Sequence, residues 1–361
     1  MDKLARANYD SQRDFSRMAV RALCYAPHTN LYFDMEGRVR ACCWNWAHPL
    51  GDARTQTLDE IWRGAQAKRL RRSLESYSFA LGCDFCDTQT RDGWTAGAAM
   101  RNFDRCPVTA PDPEWPQRME FSISNSCNLE CVMCNGTFSS AIRAHRERLP
   151  PLATAYSEGF IESLRPFLPH LTLAKFLGGE PFLITEYYRI WEMMVEVAPG
   201  VRCHITTNGT QYNARVERFM EKLRFGFAVS LDGATKETVE KIRLHADFDE
   251  QMKILKRLRD YTRARETDLS LTFCFMRQNW HEFGEFCLFA DAWGCSVGVN
   301  TVVRPPEYAV YNLPADELQK ILHGMERQAP NLKSHLTLNR NAWFAEFDRV
   351  QRKCAARSAI H

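Results

Sequence analysis

The sequence lacks any uninterrupted apolar stretch approaching the length of a bilayer-spanning helix, and its first residues, MDKLARANYDSQRDF, lack the apolar core of an export signal. A cytoplasmic location is expected. Charge of one prevailing sign is missing too: 47 Lys and Arg against 44 Asp and Glu leave a formal +3, too little to call for a nucleic acid or a membrane as partner. There is no low-complexity tract and no repeat of fixed period, which excludes solenoids and propellers. What is present is an ordinary globular mixture, 45% hydrophobic and 25% charged over 361 residues, enough for one large domain and a smaller one. Cysteine is abundant. Fourteen of them in a chain without an export signal are poor candidates for disulfides, because the cytosol keeps thiols reduced. Metal ligation or redox chemistry is the leading explanation.

Residues 29–43 read as a hairpin, with Leu31-Tyr32-Phe33, a turn over Asp34-Met35-Glu36-Gly37, and a return from Val39 to Cys43. A helix follows, opened by the capping-box pair Thr57 and Glu60 and striped by Leu58, Ile61, Trp62, Ala65, Leu70 and Leu74. Its basic residues Arg63, Lys68, Arg69, Arg71 and Arg72 are expected on a solvated outer face. Pro107, Pro111, Pro113 and Pro116 mark a linker. Strands are expected near 118–124, 171–177, 201–206, 225–231, 269–275 and 297–303, with helices between. Such βα units give parallel strands with right-handed crossovers, and six of them make a partial (β/α)6 barrel of the TIM type, an α/β fold with its site at the strand C-termini. The expected organisation is an auxiliary α+β domain and linker over 1–115, the barrel over 116–335, and a helical tail over 336–361.

The first barrel strand runs into Cys127-Asn128-Leu129-Glu130-Cys131-Val132-Met133-Cys134, a CxxxCxxC pattern. Three thiolates on one loop can hold three irons of a four-iron cluster, and the missing fourth ligand leaves one iron open to substrate. A zinc site or buried packing cysteines are the alternatives. Further on, Gly178-Gly179-Glu180-Pro181 ends the second strand. The glycines let backbone approach a ligand closely, and the carboxylate suits an ammonium. Asn208 and Ser230 end the third and fourth strands, where an amide and a hydroxyl can bond a polar ligand. Arg243, in the following helix, could neutralise a carboxylate or equally be an exposed helical arginine, and it is left outside the expected site.

From about 118 to 310 the sequence resembles the radical S-adenosylmethionine (SAM) superfamily, on CxxxCxxC, the GGEP-like Gly178-Gly179-Glu180-Pro181, and the segments around Asn208 and Ser230. The resemblance implies that Cys127, Cys131 and Cys134 bind a 4Fe–4S cluster whose free iron chelates the amino and carboxylate groups of SAM. It implies a cofactor site at Gly178, Gly179, Glu180, Asn208 and Ser230, reductive cleavage of SAM to a 5′-deoxyadenosyl radical, and an external electron donor such as flavodoxin or ferredoxin. Many members carry an aromatic residue before the last cysteine. Met133 stands there instead, a tolerable departure because the position packs rather than ligates.

Ahead of the barrel, Cys24, Cys42, Cys83 and Cys86 offer four more ligands, and their spacing alone fits either a tetrahedral zinc or a closed iron–sulfur cluster. Phe33-Asp34-Met35-Glu36-Gly37-Arg38-Val39, Leu50-Gly51-Asp52, Leu58-Asp59-Glu60-Ile61-Trp62 and Cys83-Asp84-Phe85-Cys86 resemble the SPASM or Twitch auxiliary-cluster domains. Such domains usually follow the barrel; this one precedes it. The resemblance implies a second 4Fe–4S cluster as relay or structural centre, with Cys43 able to replace Cys42.

Seven cysteines remain, most of them expected in the core. Cys274, near the end of a barrel strand, is the expected hydrogen-atom donor if the reaction inverts a carbon. The chain leaves no room for a peptide-binding winged helix ahead of Cys24, which favours a small-molecule or glycosylated substrate. Trp44, Trp46, Trp94, Trp280 and Trp293 could stack on a sugar. The expectation is epimerisation of a sugar carbon in a natural product, as in the sugar and aminoglycoside epimerases with auxiliary clusters. Radical modification of a peptide, or two-electron oxidation of a small molecule, is the enzymatic alternative, and a zinc-binding interaction module the non-enzymatic one.

Overall fold

The computed structural model describes residues 3–358 apart from 92, 94 and 96, so Trp94 lies outside the described residues. Nine strands form one sheet: β1 (Asn30–Phe33), β2 (Arg38–Arg40), β3 (Gly51–Asp52), β4 (Arg118–Phe121), β5 (Leu173–Phe176), β6 (Arg202–Thr207), β7 (Arg224–Ser230), β8 (Leu269–Phe275) and β9 (Ser296–Thr301). Their order in the sheet is β3-β2-β1-β4-β5-β6-β7-β8-β9, and every neighbouring pair from β1–β4 to β8–β9 is parallel. β4 to β9 are the six strands of a partial TIM-type barrel. The hairpin of β1 and β2 is antiparallel and extends the same sheet through the β1–β4 pairing.

Alternation along the strands sorts the two faces. Phe121, Phe176, Phe225 and Phe227 are buried and turn outward to an aromatic layer under the helix Thr185–Val197: Phe121 stacks on Phe176 at 5.2 Å, and Trp191 meets Phe176 and Phe225 edge-on at 5.4 Å. The residues between them line the inside. Register places Arg118, Leu173, Arg202 and Arg224 in one row across the strands, with Glu120, Lys175, His204 and Gly226 in the next row up.

Two local expectations change. The helix opened by the Thr57–Glu60 capping box stops at Arg63 and restarts at Ala65, because Gly64 sits in an extended conformation that caps one segment and starts the other. That turn carries Arg71 inward. Rather than lying on the solvated face, it is 2% exposed, bonded to the carbonyls of Pro27 and Trp62 and paired with Asp112 at 3.0 Å. The expected tail is the helix Arg340–Ser358, packed on the helix Ala315–His335.

Candidate active site

Past β4 the chain stays extended to Ser126 and enters the cysteine loop. That loop is tied from below and behind. Cys127 N donates to Ser140 Oγ at 3.1 Å, Ser139 Oγ donates to the Leu129 carbonyl at 2.7 Å, and Val132 N donates to the Ile242 carbonyl at 2.9 Å. Met133 packs with Ile242, Met276 and Val302, a packing position as expected. Cys127, Cys131 and Cys134 are free thiols; burial raises all three and pushes Cys134 up to about 12, with Cys127 adding to the rise of Cys131, and both of them to that of Cys134. Protonated thiols of this kind release protons when metal binds.

Two cationic or amide donors face these sulfurs. Arg243 Nη1 is 3.8 Å from Cys131 Sγ, and Asn208 Nδ2 is 3.9 Å from Cys127 Sγ. Both suit thiolates rather than thiols, which fits metal-bound sulfur. Of its two readings, Arg243 follows the one in which it neutralises a carboxylate. It follows the helix Lys236–Ile242, is 7% exposed, and pairs at 2.6 Å with the fully buried Asp232. Asp232, held at φ +66°, also accepts Cys274 N at 2.6 Å. Cys274, Asp232, Arg243 and Cys131 therefore form one chain from strand β8 to the cysteine loop. Sequence reading left the middle two outside the expected site; their burial and their pairing place them beside the cysteine loop.

The Gly-Gly-Glu-Pro turn hooks onto the same loop. Gly179 N donates to the Ser124 carbonyl at 3.0 Å and Glu180 N to the Ser126 carbonyl at 2.7 Å, while a Cβ on Gly179 would lie 2.3 Å from the Ser126 carbonyl oxygen. Gly178 takes φ +115°, a region that needs glycine. Glu180 is fully buried, and its carboxylate accepts Asn208 N at 2.7 Å, Thr207 Oγ1 at 2.8 Å and Phe182 N at 3.2 Å. Burial outweighs these donors and pushes its carboxyl up to about 7. Its oxygens are thus engaged in joining β5 to β6, so an ammonium would meet the backbone carbonyls of this turn more readily than the carboxylate. Asn208 bridges to Asn128 Oδ1 at 3.0 Å. Ser230 Oγ, at the end of β7, has no hydrogen bond among the described residues and is available to a ligand.

At the other end of the molecule, Cys24, Cys42, Cys83 and Cys86 line one cavity walled by Leu70, Leu74, Phe79, Phe85, Met100 and Phe103. Cys42 rather than Cys43 faces it. β2 ends at Arg40, and the turn that follows sends Cys43 to the barrel interior beside Glu120 and Lys175. Burial pushes Cys83 and Cys86 up to about 12, and Asn45 Nδ2 lies 3.6 Å from Cys83 Sγ. Among the described residues no three His, Cys, Asp or Glu side chains converge closely enough to chelate a single ion. Among the described tryptophans, Trp44 stacks on Phe85 at 3.7 Å, Trp46 covers Arg40, Trp280 packs against Gly324, and Trp293 lies under Arg259.

Comparison with known proteins agrees with this geometry. Residues 121–290 match the model of the radical SAM superfamily, and residues 24–87 that of SPASM, an iron–sulfur cluster-binding domain. The mycofactocin maturase MftC of Mycolicibacterium smegmatis is 26% identical over 191 residues, 53% of this chain and 45% of that protein. The AdoMet-dependent heme synthase of Methanosarcina barkeri is 30% identical over 133 residues, 36% of this chain and 34% of that one. The chain thus spans less than half the length of these curated relatives. Among solved structures, Streptococcus suis SuiB bound to S-adenosylmethionine superposes with a TM-score of 0.44 at 15% identity, covering 62% of this chain and 50% of that one. SuiB bound to its precursor peptide SuiA gives a TM-score of 0.45 at 13% identity, over 78% and 67%. The zinc-module alternative falls to the two family matches.

Proposed function

Because the chain carries a radical SAM domain behind an iron–sulfur SPASM domain, we propose that it splits SAM reductively at Cys127, Cys131 and Cys134. Gly178, Gly179, Glu180, Asn208 and Ser230 form the SAM cradle, and Cys24, Cys42, Cys83 and Cys86 hold the auxiliary cluster. The observation that carries this reading is the cysteine loop itself: three neighbouring thiols, two of them met by the N–H donors of Arg243 and Asn208. Bound there, the cluster and SAM supply a carbon-centred radical able to take hydrogen from an unactivated carbon. The protein's part would be to hold the cluster through Cys127, Cys131 and Cys134 and to keep the Asp232–Arg243 pair dry beside Cys131.

For the fate of that substrate we favour epimerisation at a carbon of a small or glycosylated molecule, with Cys274 as donor. Its neighbours Phe273 and Phe275 are buried against the helix Phe283–Trp293, so alternation turns the Cys274 thiol to the lumen. The thiol would give its hydrogen atom to the substrate radical and be restored by one electron and one proton, the electron coming from a flavodoxin- or ferredoxin-type donor. A second reading rests on a different observation. Cys42, Trp44 and Phe103 line both the auxiliary cavity and the lower end of the barrel, which supports the auxiliary centre as electron acceptor in an oxidation or a peptide modification, and the name maturase borne by a relative suits that outcome.

Reaction with a panel of glycosylated compounds in D2O separates the two. Epimerisation through Cys274 is expected to put one solvent deuterium on the inverted carbon, and Cys274→Ala to leave that product unformed. Full turnover of Cys274→Ala to the inverted product would end the assignment.

A further inference from the structure

The barrel has a second opening that none of this chemistry uses. At the N-terminal ends of β4 to β7 lies a cavity of about 930 Å³, at the upper end of the range typical of ligand sites. Its walls carry six cationic side chains, Arg17, Arg105, Arg118, Lys175, Arg202 and Arg224, against three carboxylates, in a chain whose whole excess is +3. Two of the carboxylates are already engaged: Glu120 by Arg118 at 3.1 Å and Lys175 at 3.8 Å, and Asp268 by His204 at 3.3 Å. Arg17, Arg105, Arg202 and Arg224 have no carboxylate within ion-pair distance among the described residues. Behind them, Arg118 is 8% exposed with its Nε unpartnered, and His204 keeps a buried, unpartnered Nδ1.

Guanidinium groups gathered in excess of their counter-charge repel one another and cost stability. They suit a forked oxyanion, which arginine binds through two parallel N–H donors. We propose that this lower mouth binds an oxyanionic group of the substrate, a carboxylate or a phosphate, with Arg202 and Arg224 as its principal clamps. The mouth and the SAM cradle lie on the same strands: Arg224 and Ser230 begin and end β7, about 20 Å apart at some 3.3 Å per residue. A substrate that reached from the mouth to the cradle would be elongated, anionic at its lower end, with the reacting carbon near Ser230. Its anionic end lies beside Cys43 and Trp44, next to the auxiliary cavity. The statement about the reacting carbon rests on the proposed radical chemistry; the anion site does not.

The test uses the anaerobically reconstituted full chain and two probes, pyrophosphate for the phosphate class and tricarballylate for the carboxylate class, titrated by calorimetry at low salt. Wild type is expected to bind one of them saturably at one site, the tighter probe naming the class, with affinity falling as salt rises. Arg202→Gln/Arg224→Gln should weaken that binding at least tenfold. Arg69→Gln/Arg72→Gln, which removes the same charge from a surface helix remote from the mouth, should change it less than twofold. No saturable binding by wild type, or equal weakening in the two double variants, overturns the proposal. Formation of 5′-deoxyadenosine by the same wild-type preparation is measured in parallel: its absence with anion binding intact would break the radical reading alone, and its presence without anion binding would break this inference alone.

Discussion

Cys42 and Cys43 are adjacent in sequence and turned to different cavities. The turn after β2 points Cys42 to the cavity shared with Cys24, Cys83 and Cys86 and points Cys43 to the barrel lumen. Cys42→Ser should strip the auxiliary cluster, lowering iron per chain by roughly half and removing one of two sets of signals in the reduced protein's electron paramagnetic resonance spectrum. Cys43→Ser should leave both sets. The opposite pattern would exchange the two residues. Sequence could nominate both cysteines but not choose, since the choice depends on where the strand ends. Arg243 shows the same limit: its partner Asp232 is eleven positions away in sequence, and its burial follows from how a helix end meets the cysteine loop. By contrast the cysteine triplet and the Gly-Gly turn were legible, because their chemistry is carried by local spacing.

Among the elements, the six barrel strands were readable from alternation, while the β1–β4 pairing that brings the hairpin into the sheet was not, being a contact between segments 88 residues apart (Asn30 with Arg118). Gly64 split a helix that the apolar stripe ran straight through, and Arg71 turned inward as a result. Glu180 acts at this scale as well, joining the end of β5 to β6. Burial raises its carboxyl from 4.5 to about 7, so between those values the folded chain binds more protons than the unfolded one. Stability from this group is therefore present at low pH and lost as pH rises toward 7, by on the order of a few kcal/mol. Urea unfolding under anaerobic conditions at pH 5 and pH 8 should show a larger loss in wild type than in Glu180→Gln, which cannot titrate. Equal losses would mean that the carboxyl titrates normally.

On the scale of the whole molecule, the parallel strands give the lumen a direction: the proposed SAM cradle at the C-terminal ends, the auxiliary cysteines and the arginine mouth toward the N-terminal ends. Composition concealed that polarity, because a near-balance of charge over the chain averages out a basic mouth that only the strand register assembles. Among the described residues no helix is long and apolar enough to cross a membrane. All of this depends on three thiols holding a cluster with one corner open. Reconstituted wild type and Cys131→Ala, mixed anaerobically with SAM and dithionite and assayed for 5′-deoxyadenosine and methionine by mass spectrometry, test it most directly. Wild type is expected to form the two products in equal amounts and Cys131→Ala neither above the blank; an inert, iron-loaded wild type, or equal product from both proteins, would contradict it.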